Sequence, residues 1–184
     1  MIVNTKAIVL KTFPYGETSL ISRCFTKEKG KISFIIKGAQ SKKNLLSSYF
    51  QPLSHIQIIY NEKEKRELQI ISKVNFVDIW LKIPESLKKM TLLQSILEIT
   101  DFTLEKNDPH PELFNILIES IHNFEKNQFK ENIIFWFYEC ELLSELGFRI
   151  DLKNNEKNKY EIPNRKIEGP SLIVIQRLLN KHVE

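Results

Sequence analysis

Residues 23–43 read RCFTKEKGKISFIIKGAQSKK. In the middle of this stretch Ile32, Phe34 and Ile36 alternate with Lys31, Ser33 and Lys37, the period-two pattern that puts an apolar row on one face of a strand and polar groups on the other. Ile35 breaks the alternation. Around this strand stand seven basic side chains, Arg23, Lys27, Lys29, Lys31, Lys37, Lys42 and Lys43, against the single acid Glu28. Cations in such excess at loop ends and strand edges predict a surface for a polyanion, with phosphate chains the natural partner. The competing reading is a set of solubility-conferring loops on a chain with 27% charged residues.

Four more short segments rich in β-branched and aromatic residues flank this strand: TKAIVLKTF and ETSLISRCF before it, SHIQIIY and ELQIISKVNF after it. In the fourth strand Ile56, Ile58 and Tyr60 form the inward row opposite His55 and Gln57, with Ile59 as an imperfection. Turn residues separate the segments: Pro14, Tyr15 and Gly16, then Lys29 and Gly30, then the charged run after Asn61. Between the third and fourth strands lies GAQSKKNLLSSYFQP, too long for a hairpin, where Ser41 is expected to cap a short helix carrying Leu45 and Leu46. Five strands with a helical connection in that place predict an OB-fold barrel over residues 1–80, an architecture that commonly binds oligonucleotides.

After Trp80 the period changes. Leu87, Met90, Leu93, Leu97 and Thr100 recur at spacings of three and four, predicting a helix from Pro84 to Leu104 with the proline in its first turn. A second helix starts near Pro111 with the stripe Leu113, Leu117, Ile121 and Phe124. A third runs from Glu131 to Leu146, is ended by Gly147, and carries a nearly all-apolar IIFWFYE stretch. Beyond it, Lys153 to Lys159 reads as a polar loop and Ser171 to Lys181 as a last short helix. The expected class is therefore α+β, a five-stranded barrel followed by an all-helical domain over residues 81–184. The charge divides the same way. Residues 1–80 hold 13 Lys and Arg against 6 Asp and Glu, whereas residues 81–184 hold 14 against 17, so the net +4 combines +7 with −3.

Composition removes several function classes. No apolar run approaches the roughly 20 residues that span a bilayer, and MIVNTKAIVLK lacks a charged region followed by a long hydrophobic segment, so a soluble cytoplasmic protein with no membrane partner is expected. Cys24 and Cys140 are the only cysteines and sit among hydrophobic neighbours, which favours buried reduced thiols. The histidines His55, His110, His122 and His182 show no metal-binding spacing. Gly30-Lys31 fails as a phosphate-cradling loop because Phe25 stands where the first glycine belongs and Ile32 follows the lysine. Glu139 and Glu141 fall on different sides of a helix, so paired carboxylate chemistry is not expected, and the acids of the helical half are spaced as on solvated faces. Neither catalytic residues, a metal nor a cofactor are predicted. Tyr15 and Tyr49 are candidates for stacking on bases. Phe25 and Phe34 read as core, Trp80 and Trp136 as packing anchors.

Taken in order, TKAIVLKTFPYGETSLISRCFTKEKGKISFIIKGAQSKK followed by QPL resembles the amino-terminal domain of the bacterial RecO family of recombination mediators, and YECELLSELGFRIDL (138–152) is similar to a helical segment near the carboxy-terminal part of that family. The resemblance implies an OB-fold followed by a helical domain without catalytic activity. It also implies binding of single- and double-stranded DNA, annealing of complementary strands, and work with RecR to load RecA onto DNA coated by single-strand-binding protein. It gives the DNA-contact role to Lys31, Lys37, Lys42 and Lys43, beside which the basic stretch adds Arg23 and Lys27. Where many relatives carry a four-cysteine zinc cluster this chain has Lys153, Asn154 and Asn155, so no zinc finger is expected. The chain is also short for the family. An OB-type RNA- or ribosome-binding module and an enzyme with dispersed catalytic residues are the other readings open at this point.

Overall fold

The structure, a computed structural model, describes residues 1–40 and 46–148. The chain divides into two compact units, one formed by Met1–Trp80 with Thr100–Phe114, the other by Leu81–Ile99 with the chain from Asn115 onward.

The first unit is built on strands β1 (Ile2–Tyr15), β2 (Ser19–Thr26), β3 (Gly30–Ile36), β4 (His55–Asn61) and β5 (Leu68–Asp78). They close into a barrel in the order β1-β2-β3-β5-β4. All pairings are antiparallel except β3 with β5, which is parallel and joins Ser33 to Leu68, Phe34 to Gln69 and Ile35 to Ile70. The alternation read in the sequence fills the interior: Val3, Ala7 and Val9, Leu20 and Cys24, Ile32, Phe34 and Ile36, and Ile56, Ile58 and Tyr60 form one buried cluster. The Phe34 and Tyr60 rings meet edge-on at 5.2 Å, the geometry their quadrupoles favour. Short helix α1 (Leu46–Tyr49) precedes the fully buried Phe50, which joins the same cluster. The expected Ser41 cap and Leu45 lie outside the described residues.

One reading needs correction on the outward side of the barrel, and a second is borne out in a different place. His55, expected to face solvent, is buried, with Nδ1 2.7 Å from Asp78 Oδ2 and its ring against Phe114. Phe25 is core as expected, but it alternates with the inward-facing Cys24 and packs on the outer surface, edge-on to Phe114 at 5.5 Å. The reason is the same for both: Thr100–Phe114 covers this part of the sheet, and an alternation pattern cannot register a cover supplied by distant sequence. The covering segment also meets the start of β3, where Asn107 N–H donates to the Lys31 carbonyl at 3.1 Å and Lys31 bridges Lys106 in parallel fashion. Gly30 makes that approach possible with a left-handed φ of +67°. Trp80 anchors packing, its Nε1–H donating to the Leu53 carbonyl at 3.0 Å.

Helices α2 (Leu87–Thr103), α3 (Pro111–Lys126) and α4 (Glu131–Glu145) follow. The helix expected from Pro84 instead opens with a separate 3-10 turn over Ile83–Glu85, and α2 begins after Ser86, whose Oγ accepts from Lys89 N–H at 3.4 Å. Glu125 explains the separate turn, since its carboxylate accepts from the backbone N–H groups of Leu81, Lys82 and Ile83 at 3.0 to 3.1 Å. Burial opposes that charge, but the three donors outweigh it and hold the Glu125 carboxyl below its ordinary range. In the expected α2 stripe Leu93, Leu97 and Thr100 are buried, while Leu87 and Met90 are exposed. The α3 stripe Leu113, Leu117, Ile121 and Phe124 is fully buried. In α4 Ile134, Phe135, Phe137 and Tyr138 are buried, but Trp136 is 40% exposed and so is not the full anchor the sequence suggested. Gly147 ends α4 as expected, with φ +85°, Gly147 N–H on the Ser144 carbonyl at 3.0 Å and Phe148 N–H on the Leu143 carbonyl at 2.8 Å; this is the paired C-terminal closure that glycine permits.

The acids of α4 do not all lie on a solvated face. Glu139 is 3% exposed, its Oε1 has no hydrogen-bond partner among the described residues, and burial pushes its carboxyl up to about 7. Between about pH 4.5 and 7 the unfolded chain releases this proton while the folded one keeps it, so the stability contribution falls as pH rises and stays low above 7. Glu139→Gln is therefore expected to stabilise the protein at pH 8 by about 1 to 3 kcal/mol and hardly at all at pH 4. Urea unfolding at the two pH values measures this, and equal effects at both would contradict it.

Candidate nucleic-acid interface

Strand register sorts the basic stretch into three places. Thr26 and Gly30 bracket the β2–β3 turn, Thr26 Oγ1 donating to the Gly30 carbonyl at 2.8 Å and accepting from Lys29 N–H at 3.2 Å. This turn carries Lys27, half-buried, whose N–H donates to the Lys6 carbonyl, and Lys29, whose ammonium pairs with Glu62 at 3.0 Å. Glu28 accepts from Thr5 Oγ1.

Arg23, midway along β2, and Lys31, next to the turn at the start of β3, lie on the outer face. Arg23 alternates with buried Ser22 and Cys24, and Lys31 with buried Ile32, so both side chains project outward. Both are held by Asp101: Arg23 Nη1 donates to Oδ2 at 2.7 Å, while Lys31 Nζ lies 3.7 Å from Oδ1 and also donates to the Asp101 carbonyl. The Arg23 guanidinium also stands 5.7 Å from the centre of the Phe13 ring.

At the opposite rim the arrangement is open. Tyr15 pairs with Ser19 and Leu20 with Ile36, so Tyr15 and Lys37 emerge at the same end of the barrel, and both are exposed. Beside Lys37 a cavity of about 170 Å³ runs between the end of β3 and β5, floored by Leu46 and Phe50 and edged by Lys37 and Lys73. The groove exists because the parallel pairing of β3 with β5 stops at Ile35 and Ile70. Tyr49 is partly buried and stacks on Phe76 at 4.4 Å, interplanar angle 23°, so a half-exposed aromatic pair stands on the α1 side. Lys42 and Lys43 lie outside the described residues. Thus Lys37 and Tyr15 share one rim, Lys27 lies at the other, and Arg23 and Lys31 are engaged between them. Lys73 was missed, since a lone lysine in ELQIISKVNF carries no signal until β5 is placed opposite Lys37.

Among the described residues no three His, Cys, Asp or Glu side chains gather as a metal site, and no helix is long and apolar enough to cross a membrane. Burial raises the Cys24 thiol to about 12, partly countered by Ser22, and raises Cys140 to about 11 with help from Glu139 and Glu141; neither is an activated nucleophile.

A closed five-stranded barrel with β3 and β5 parallel, a short helix between β3 and β4 and a cationic rim defines an OB-type domain joined to helices. Residues 1–80 match the family description "Recombination protein O N terminal" and residues 84–170 match "Recombination protein O C terminal". The chain belongs to the RecO family. It is similar to the DNA repair protein RecO of Salinibacter ruber, 32% identical over 146 residues that cover 79% of this chain and 56% of the relative. The DNA repair protein RecO of Chloroherpeton thalassium is 31% identical over 83% of this chain and 59% of its own length. That of Thermodesulfovibrio yellowstonii is 32% identical over 82% and 60%. The matches thus span less than two thirds of each relative.

Proposed function

We propose that this protein is a non-enzymatic DNA-binding mediator of recombinational repair that draws complementary strands together. The observation that carries the reading is the open barrel rim, where Lys37 and Lys73 edge one groove at the same end of the barrel as exposed Tyr15, within residues 1–80, which hold 13 basic against 6 acidic residues. Cations spaced along a groove neutralise successive phosphates, and aromatic rings accept bases without regard to sequence. Lys42 and Lys43 extend this footprint in our reading, and Lys27 adds a contact at the far turn. A cationic surface lowers the repulsion between two phosphate chains, which supports annealing without nucleotide hydrolysis. Family membership supports RecR, single-strand-binding protein and, indirectly, RecA as the partners, with single- and double-stranded DNA as the ligands, and the relatives' shared description as DNA repair proteins supports the repair role.

The test is the rate at which labelled complementary oligonucleotides anneal with and without the protein, in the absence of ATP and divalent metal, together with a salt titration of binding. Annealing is expected to accelerate. If about six phosphates are neutralised, affinity for a single strand is expected to fall by roughly two to three orders of magnitude between about 50 and 200 mM salt. Salt-independent binding, or tight binding to RNA with none to DNA, would overturn the reading; tight DNA binding without acceleration would remove annealing alone.

A further inference from the structure

Asp101 lies in the last turn of α2, where the helix dipole disfavours a negative charge, and no basic residue of that turn compensates it. Its charge is met instead from the barrel. Arg23 stands opposite Ser33, and Phe25 stands opposite Lys31, so the two cations are diagonal neighbours on one face of the β2–β3 ladder. Between them the Asp101 carboxylate spreads its oxygens, Oδ2 at 2.7 Å from Arg23 Nη1 and Oδ1 at 3.7 Å from Lys31 Nζ. An Arg and a Lys converging on a forked pair of anionic oxygens is also the arrangement that receives the two non-bridging oxygens of a phosphodiester.

We propose that Arg23 and Lys31 form a phosphodiester-binding position that Asp101 occupies as an internal competitor, so that a nucleic-acid strand extends its footprint across β2 and β3 by exchanging a phosphate for this carboxylate. The inference rests on the DNA-binding reading above and adds its regulation. The side chains of Lys31 and Asp101 are 11% and 12% exposed, whereas Arg23 is 37% exposed. An incoming phosphate therefore meets Arg23 first and displaces Asp101 from it. Lys31 follows, keeping its bond to the Asp101 backbone carbonyl, which a side-chain exchange leaves in place, and turning its remaining donors from Oδ1 to the phosphate. Weakly bound strands would engage the rim alone, and strands held long enough to complete the exchange would have one or two further phosphates neutralised.

The experiment compares binding of a labelled oligothymidine across a salt series by the wild type, Asp101→Asn, Asp101→Glu and the double variant Asp101→Asn with Lys31→Gln, each checked by thermal melting. Removing the internal anion is expected to tighten binding about 4- to 14-fold at about 150 mM salt and to steepen the salt slope by about 0.7 to 1.4, the amount for one to two added phosphates on a single strand. Asp101→Glu, which keeps the charge, is expected to behave as the wild type, and adding Lys31→Gln to Asp101→Asn is expected to reduce the gain. Should the asparagine variant not melt cooperatively, Asp101→Ser is read in its place. If the wild type binds and the neutralised variants bind no tighter, with an unchanged slope, Asp101 is only a tether and the proposal fails while the DNA-binding reading stands. Absence of binding by every variant overturns both.

Discussion

Gly30→Ala is expected to cost about 3 kcal/mol or more of folding stability. Gly30 has φ +67°, and a Cβ added there would lie 2.1 Å from the carbonyl oxygen of Asp108 and 2.4 Å from its carbonyl carbon. The left-handed backbone alone costs a non-glycine residue about 1 kcal/mol. The contact with Asp108 is worse, because backbone has no rotamer through which to retreat. The clash can be relieved only by moving the Asp108 segment away from β3, which breaks the Asn107–Lys31 hydrogen bond and the Lys31–Lys106 bridge. Gly16 is the internal control. It has φ +62°, yet a Cβ at Gly16 would meet nothing within 4 Å, so Gly16→Ala should carry the conformational cost alone, about 1 kcal/mol. Urea unfolding of the two variants is expected to differ by about 2 kcal/mol. Equal losses would show that the Asp108 approach does not constrain the barrel.

Charge reversal of Lys42 and Lys43 to Glu is expected to have the largest effect on binding. Leaving two phosphates of a single strand without their cations weakens affinity about 25-fold at about 100 mM salt, before the repulsion from two new carboxylates is added. Reversing Lys126 and Lys130, at the end of α3 and before the start of α4, should change little, because residues 81–184 already hold 17 acids against 14 bases. Binding of one oligonucleotide by the two double variants, with melting curves to establish that both fold, makes the comparison. Equal losses would show that the basic stretch of residues 23–43 is not the main footprint.

The barrel was legible because its interior is written locally. Ile32, Phe34 and Ile36, or Ile56, Ile58 and Tyr60, announce a strand within a few residues, and each row meets the others in one cluster. The α3 stripe and Gly147 were legible for the same reason, since spacing and a left-handed glycine need no partner to be recognised. What local pattern could not carry was any role assigned from afar. His55 looked like a polar outward residue until Phe114 covered it, and Glu139 looked like a solvated acid yet is buried in the fold. Glu125 gave no sign that it would hold three backbone N–H groups more than forty positions earlier. The candidate interface was half legible: the charge excess and exposed Tyr15 could be read directly, whereas the engagement of Arg23 and Lys31 by Asp101 and the pairing of Lys37 with Lys73 across a groove required the fold.

The short parallel seam between β3 and β5 also bears on how the barrel assembles and breathes. Strands β1, β2 and β3 follow one another as antiparallel neighbours and can zip from their turns, but the ring closes only when Leu68, Gln69 and Ile70 reach Ser33, Phe34 and Ile35. Such closure has to meet the loop entropy of all the intervening chain before three residue pairs reward it, which places it late in folding. In the native state the same seam can part without disturbing a single antiparallel pair, leaving an open sheet with β3 and β5 as its margins. The barrel thus has one preferred line of opening, and the groove between Lys37 and Lys73 lies at its end.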